Sequence, residues 1–442
     1  MTHQSVTARR HGRIARPQHA VGFGSAFTVT TPYPALTITS AATPYPATQT
    51  VWGGGRSFVH VASLALVWVA IATSGIVFTE PAPTDAISIG LIVLLPVVGL
   101  VAISPMLTGY LSLWLVTAAA GFLATTMSPY IVDSAKFTTV SLYLYVSSFV
   151  VAAFVARNAT AHTKLIFNAW CLAAFCATAT GVIGYFNLFP GAYDTFTLYG
   201  RASGTFKDPN VFGPFLVAPF LYALNTAIER PWHRIVLPLG LAGFLALGVF
   251  LSFSRGAWFI LALALAIYGW LSYVTTTSDA RRMRIVHLIA MGVVLVGVVV
   301  LGALQSERID DLLEQRASLT QSYDVGPEGR FGGQQKAVGL ILENPMGIGA
   351  TIFTSVYHHE EVHNVYLSMM LNAGWLGGAL FLLTIMLTIV LGFRHALNRS
   401  PAAQLTQPMF LIAYAAFFAN VLEGFIIDID HWRHVYLLMA LV

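Results

Sequence analysis

The strongest constraint on this chain is a feature that keeps returning: stretches of about 20 apolar residues, the helix length that crosses a bilayer core of roughly 30 Å. They occur at 58–78, 87–103, 107–127, 137–156, 165–185, 211–228, 235–253, 257–274, 285–304, 365–391 and 409–427. A twelfth begins near Val435 and has eight residues through Val442. That is too few to cross, so the expectation is a truncated chain. The runs are continuously apolar with no period-2 alternation, which points to helices and away from a barrel. With 56 % hydrophobic residues, 10 % charged residues and a mean hydropathy of +0.71, a soluble fold could not hide its apolar surface. The expected fold is therefore all-α. It is a polytopic transmembrane helical bundle of about 12 spans with a long, partly helical loop at 305–364.

Lys and Arg are retained on the cytoplasmic side during insertion. Arg9, Arg10, Arg13, Arg16 and Arg56 put the amino terminus inside. Alternating from there keeps Arg157, Lys164, Arg230, Arg234, Arg281, Arg282, Arg284, Arg394 and Arg399 inside, while most carboxylates fall outside. Residues 1–57 form a Thr-, Pro-, Ala- and Gly-rich tail in which Thr-Pro-Tyr-Pro-Ala occurs at both 31 and 43, and disorder is expected. Residues 58–442 form the membrane domain. Arg9 and Arg10 look superficially like a twin-arginine signal, but no compact apolar region follows before Phe58, so the first span reads as an uncleaved anchor. Cys171 and Cys176 lie on different faces of one span, an arrangement that suits neither a disulfide nor a metal site.

Chemistry has to come from the polar residues on the outer side. Asp208-Pro-Asn210 reads as a helix start, so Arg201 sits beside a helix amino terminus. That pairing of guanidinium and N–H donors suits phosphate, although snorkelling or an ion pair with Asp208 would also explain it. Arg255 lies in a very short connection, Ser252 to Gly256, on the side where arginine is scarce. Its charge must lie at the membrane edge or point into the bundle, where a functional role is the default, against a simple interfacial anchor. In the long loop, helical stretches are expected at 308–319 and 331–342, and the loop could close over the bundle as a lid. His358, His359, Glu360, Glu361 and His363 cluster at its end. His359 and His363 are four apart, as on one helix face, but no third metal ligand is evident. His363, with an ordinary pKa of about 6.5, is better suited to proton transfer.

Taken in order, Arg201-Ala-Ser-Gly-Thr-Phe206, Asp208-Pro-Asn-Val-Phe-Gly213, Ser254-Arg-Gly256, Gly329-Arg330, Asn344-Pro-Met-Gly-Ile-Gly349 and His363-Asn-Val-Tyr-Leu367, with ten residues separating His363 from Gly374, form a recognisable series. It resembles the O-antigen ligase and Wzy-type polymerase superfamily of bacterial envelope glycosyltransferases, from Phe58 to the carboxyl end. One departure is Gln334-Gln335, where relatives usually carry an aromatic residue. The resemblance implies transfer of a glycan from an undecaprenyl-diphosphate carrier to a hydroxyl, with inversion and with neither metal nor cofactor. It would take place at the periplasmic face of a multi-pass inner-membrane protein. Arg201, Arg255 and His363 would be catalytic, the arginines neutralising the diphosphate and the histidine acting on the acceptor hydroxyl. Arg330, Lys207, Asn210 and Asn364 would bind substrate. The acceptor would be lipid A-core for a ligase, the favoured reading, or a growing glycan for a polymerase. A protein side chain is a further option. Membrane lipid is an expected partner and nucleic acid is not.

A secondary transporter of about twelve helices is the rival from another class. Such proteins place ionisable groups near the midplane, and here Glu423, near one end of its span, is the nearest candidate. The closing segment Asp428 to His434 adds two carboxylates, two histidines and an arginine on the outer side, and a structural network with the site arginines is favoured over sugar binding.

Overall fold

A bilayer core offers no water to satisfy backbone N–H and C=O groups, so an apolar run must satisfy them internally. A computed structural model of the chain describes residues 58–303, 326 and 329–442, and there each of the apolar runs is built on helix, the first two continuing past their helices' ends at Ala72 and Val97. The helices are α1 (Phe58–Ala72), α2 (Pro83–Val97), α3 (Pro105–Thr125), α4 (Ile131–Arg157), α5 (Ala159–Tyr185), α6 (Ala192–Phe196), α7 (Pro209–Phe215) and α8 (Val217–Glu229). They continue as α9 (Val236–Leu251), α10 (Arg255–Thr275), α11 (Asp279–Ala303), α12 (Arg330–Glu343), α13 (Val365–Ala396), α14 (Pro401–Glu423) and α15 (Arg433–Leu441). Among the described residues, seven helical segments are long and apolar enough to cross a membrane. The chain is a polytopic helical membrane protein. The amino-terminal tail and the expected stretch at 308–319 lie outside the described residues, whereas the stretch expected at 331–342 is α12.

Local chemistry sets the helix ends. Ser104, Asn158, Ser254 and Ser400 each accept a backbone N–H of the first turn that has no partner within the helix. The run at 211–228 is broken at Leu216 into α7 and α8. Pro219 has no N–H to return to the carbonyl of Phe215, so the ladder opens at this point.

Helix α3 packs against α4 and α13, α10 against α14, and α15 against α4. Trp114 on α3 is the knot: it stacks on Tyr145 of α4 at 4.1 Å between ring centroids and meets Phe381 of α13 at 5.8 Å and Tyr436 of α15 at 6.0 Å. The α7–α8 span is the most enclosed. Of its apolar stretch 78 % is buried, against 28–61 % for the other long spans. Outward faces remain apolar, with Val97 and Leu237 each 78 % exposed, as suits helices solvated by lipid.

Candidate functional site

Arg201 is presented by a minimal hairpin. Strands β1 (Thr197–Leu198) and β2 (Arg201–Ala202) pair Leu198 with Arg201, joined by Tyr199 (φ +52°) and Gly200 (φ +73°). Two left-handed residues in succession make the tight turn whose twist matches that of paired strands. The Arg201 residue is 8 % exposed. Its Nε donates to the carbonyl of Ser252 at 2.8 Å, and its Nη2 donates to Oδ1 of Asn210 at 2.7 Å. The hydroxyl of Ser254 donates to that same oxygen at 2.9 Å. Asp208, the cap of α7, accepts the Asn210 N–H at 2.8 Å. Two motifs 44 residues apart in sequence are thus joined at one amide oxygen.

Arg255 follows as the first residue of α10, half-buried, directly after its cap Ser254. The connection stays short because Phe253 takes a left-handed conformation (φ +44°). Beside Arg255, the carboxylate of Glu423 on α14 lies against Gly256, where an added Cβ would come within 1.6 Å of its Oε1 and the side chain would have to move.

His363 lies just before α13 in a left-handed conformation (φ +53°). Its backbone N–H donates to Oδ2 of Asp428 at 2.8 Å, while the Ser368 hydroxyl donates to Oδ1 of Asp428 at 2.5 Å. Its carbonyl accepts from Nε2 of Gln334 on α12 at 3.1 Å, and its Nε2 is 3.7 Å from Oε2 of Glu360. The side chain is 25 % exposed. Asn364 caps α13, accepting the N–H groups of Tyr366 at 3.1 Å and Leu367 at 3.2 Å. Its amide oxygen therefore has a structural task. Gln334, the departure from the family pattern, ties α12, and with it half-buried Arg330 at the start of that helix, to the backbone of His363.

The expectation that His359 and His363 share a helix face is corrected. Residues 358–364 are non-helical, after a π-helical turn at Phe353–Tyr357, and His359 instead stacks near His358 at 4.7 Å. Among the described residues no group of three His, Cys, Asp or Glu is arranged to hold a metal ion. Cys171 and Cys176 are both free thiols.

A cavity of about 350 Å³ lies beside these parts, and Arg201, Arg255 and His363 are not among its lining residues. Phe206, Lys207 and Asp208 line it from the Arg201 side and Asp428 from the His363 side, with Tyr143 and Arg433 also on its wall. Lys207 sits at the rim, its Nζ 3.7 Å from Oε2 of Glu80. Arg433 clamps Asp85 with two bonds of 2.7 Å, fixing α15 to α2. His431 stacks on Phe137 at 3.9 Å and shares a hydrogen bond of 2.9 Å with Ser141. Burial and the neighbouring charge of Asp430 raise the pKa of the Asp428 carboxyl above the ordinary carboxylate value. Burial lowers His431 to about 4, so its ring is neutral near pH 7.

The closing segment is thus woven into the site through Asp428. A structural network with the site arginines was expected of this segment; Asp428 holds the backbone N–H of His363 and Arg433 pairs with Asp85, and a carboxylate 65 residues from the histidine it holds leaves no spacing signal. No curated protein matches the chain. Residues 240–382, the segment that supplies Arg255, Arg330, His363 and Gly374, match the O-antigen ligase family model. Over that segment, less than half of the chain, the protein is similar to the O-antigen ligase family, in agreement with the resemblance drawn from the motifs between Ser254 and Gly374, while those between Arg201 and Gly213 lie outside the match.

Proposed function

We propose that the protein transfers a glycan from undecaprenyl diphosphate to an acceptor hydroxyl at the periplasmic face of a bacterial inner membrane, with lipid A-core as the acceptor. The observation that carries this reading is the junction at Asn210. It gathers Arg201, the cap of α10 and so the neighbouring Arg255 at one place. Two guanidiniums and the amino terminus of a 21-residue helix concentrate N–H donors and positive charge, as a diphosphate leaving group requires.

The acceptor oxygen attacks the anomeric carbon from the face opposite the diphosphate, and the new C–O bond forms as the bond to the diphosphate oxygen breaks, with inversion. The acceptor proton passes to the imidazole of His363. The charge that grows on the departing oxygen is met by Arg201 and Arg255, an electrostatic role that a divalent cation fills elsewhere. Arg330 and Lys207 add positive charge nearby, while Asn210 and Asn364 hold the loops that bear Arg201 and His363.

Arg255→Ala and His363→Ala should each abolish transfer with expression and membrane insertion unchanged, measured on lipopolysaccharide and lipid-linked glycans of a strain lacking the protein and complemented with each variant. Full activity in both would sink the assignment. In the strain without the protein, long glycans stranded on the carrier beside bare lipid A-core mean ligation. Accumulation of single repeat units means polymerisation. EDTA should leave activity unchanged, and inhibition reversed by a divalent ion would put a metal in the mechanism.

A further inference from the structure

The α7–α8 span has the Asn210 junction at its start, and at its other end a groove of about 610 Å³ opens between α5, α8 and α9. Its wall changes character along its length. Arg230, the residue after α8, stands at the mouth. Two helical turns deeper, about 12 Å along the axis, the Tyr222 hydroxyl of α8 donates to Oδ1 of Asn168 on α5 at 2.9 Å, with Thr226 between. Beyond this neutral polar pair the wall is apolar, and the rings of Phe175 and Phe244 meet at 5.3 Å between centroids at the far end. A charge, then hydrogen-bonding groups, then hydrocarbon is the order of parts in a phospholipid read from headgroup to tail.

Charge decides which phospholipid. Lys164 lies one turn from Asn168 on the same face of α5, towards the side that carries Arg230. Among the described residues, the two carboxylates near this end are already committed, Glu229 to Arg281 at 2.7 Å and Asp279 to Arg282 at 3.1 Å. Arg230 and Lys164 have no hydrogen-bonded or ion-pair partner among the described residues. A headgroup with a net negative charge supplies what they lack, whereas a zwitterionic one brings a cation of its own. The amide Nδ2 of Asn168 is likewise left over from the bond to Tyr222 and can donate to an ester carbonyl.

We propose that the groove binds one anionic phospholipid of the bilayer, its phosphodiester between Arg230 and Lys164, its glycerol esters at Asn168 and Tyr222, and one acyl chain laid along Leu172 and Leu241 towards Phe175 and Phe244. The site is remote from the arginine junction and does not depend on the transfer reading. It ties together α5, α8 and α9 where they reach the arginine-rich side.

The test uses the full chain in detergent, titrated with phosphatidylglycerol or with phosphatidylcholine of the same acyl chains. Bound lipid is counted by native mass spectrometry and the melting temperature is followed in parallel. Phosphatidylglycerol should be retained one to one and should raise the melting temperature with concentration, and phosphatidylcholine should do neither. Arg230→Ala with Lys164→Ala should weaken retention roughly thirtyfold, about fivefold for each cation near a membrane surface. Gly240 lines the groove on α9, and a Cβ added there meets nothing within 4 Å. Gly240→Phe should therefore enter the groove and abolish retention, and if the filled groove prevents folding, the paired change at exposed Arg230 and Lys164 decides alone. Equal retention of the two lipids, binding of phosphatidylglycerol unaltered by these changes, or its full displacement by glycerol phosphate, which has no acyl chain, overturns the proposal.

Discussion

Among single residues, Arg201 shows how a guanidinium does what an ammonium cannot. Its fork reaches the Ser252 carbonyl at 2.8 Å through Nε and the Asn210 amide at 2.7 Å through Nη2, two fixed directions from one planar group. Lysine keeps the charge but supplies only one flexible donor point. Arg201→Lys should therefore lower transfer by roughly tenfold or more, a loss of about 1.4 kcal/mol or beyond in transition-state stabilisation, with protein levels unchanged. Wild-type rates in that variant would mean that charge alone matters at this position. Arg201, Arg255 and His363 could be singled out as candidates in the sequence because arginine is scarce on the outer side and all three occupy short or motif-bearing connections. Asp428 was not, because its partner is the backbone N–H of His363, a group every non-proline residue has and no sequence pattern reveals. Gln334 was visible only as a departure, and its bond to the His363 carbonyl supplies the reason it can stand there.

Among elements, α13 carries the clearest device. Gly374 interrupts it with φ +66° and ψ −175°, and the loop after Asn344 packs into the gap. The N–H of Ile348 donates to the carbonyl of Leu371 at 2.9 Å, and that of Trp375 to the carbonyl of Pro345 at 2.9 Å, so the groups released by the kink are satisfied by the loop. A Cβ at Gly374 would lie 2.6 Å from the Met346 carbonyl carbon and 2.7 Å from the Pro345 carbonyl oxygen. Gly374→Ala is accordingly expected to cost about 1–3 kcal/mol through backbone strain. This should appear as a lowered melting temperature in detergent with a matching loss of transfer, and an unchanged melting temperature would contradict the account. Positions of helices could be read because continuous apolar runs admit little else in lipid. The kink at Gly374 and the break at Leu216 lie inside such runs, where hydropathy is blind to a missing or redirected hydrogen bond.

For the molecule as a whole, the aromatic knot at Trp114 joins α3, α4, α13 and α15 away from the arginine junction. Trp114→Ala should lower stability by about 3–5 kcal/mol, the range for deleting a buried aromatic side chain. Protein that remains folded should keep its acceptor and donor KM, and a selective rise in either KM would show that the knot shapes the site. The multi-pass architecture followed from composition, whereas the meeting of Asp208 and Asp428 on one cavity required the fold, since helix packing brings the two residues together and sequence proximity does not. The enclosed α7–α8 span, 78 % buried against 28–61 % for the other long spans, also sets how the enzyme responds to its surroundings. Lipid-facing helices accommodate a thicker or thinner bilayer by tilting. A span surrounded by protein has its depth fixed by its neighbours, so Asp208 and Asn210 at its start keep their level relative to the bundle while the periphery adjusts. The junction at Asn210 is therefore insulated from changes in lipid composition that the rim of the bundle must absorb.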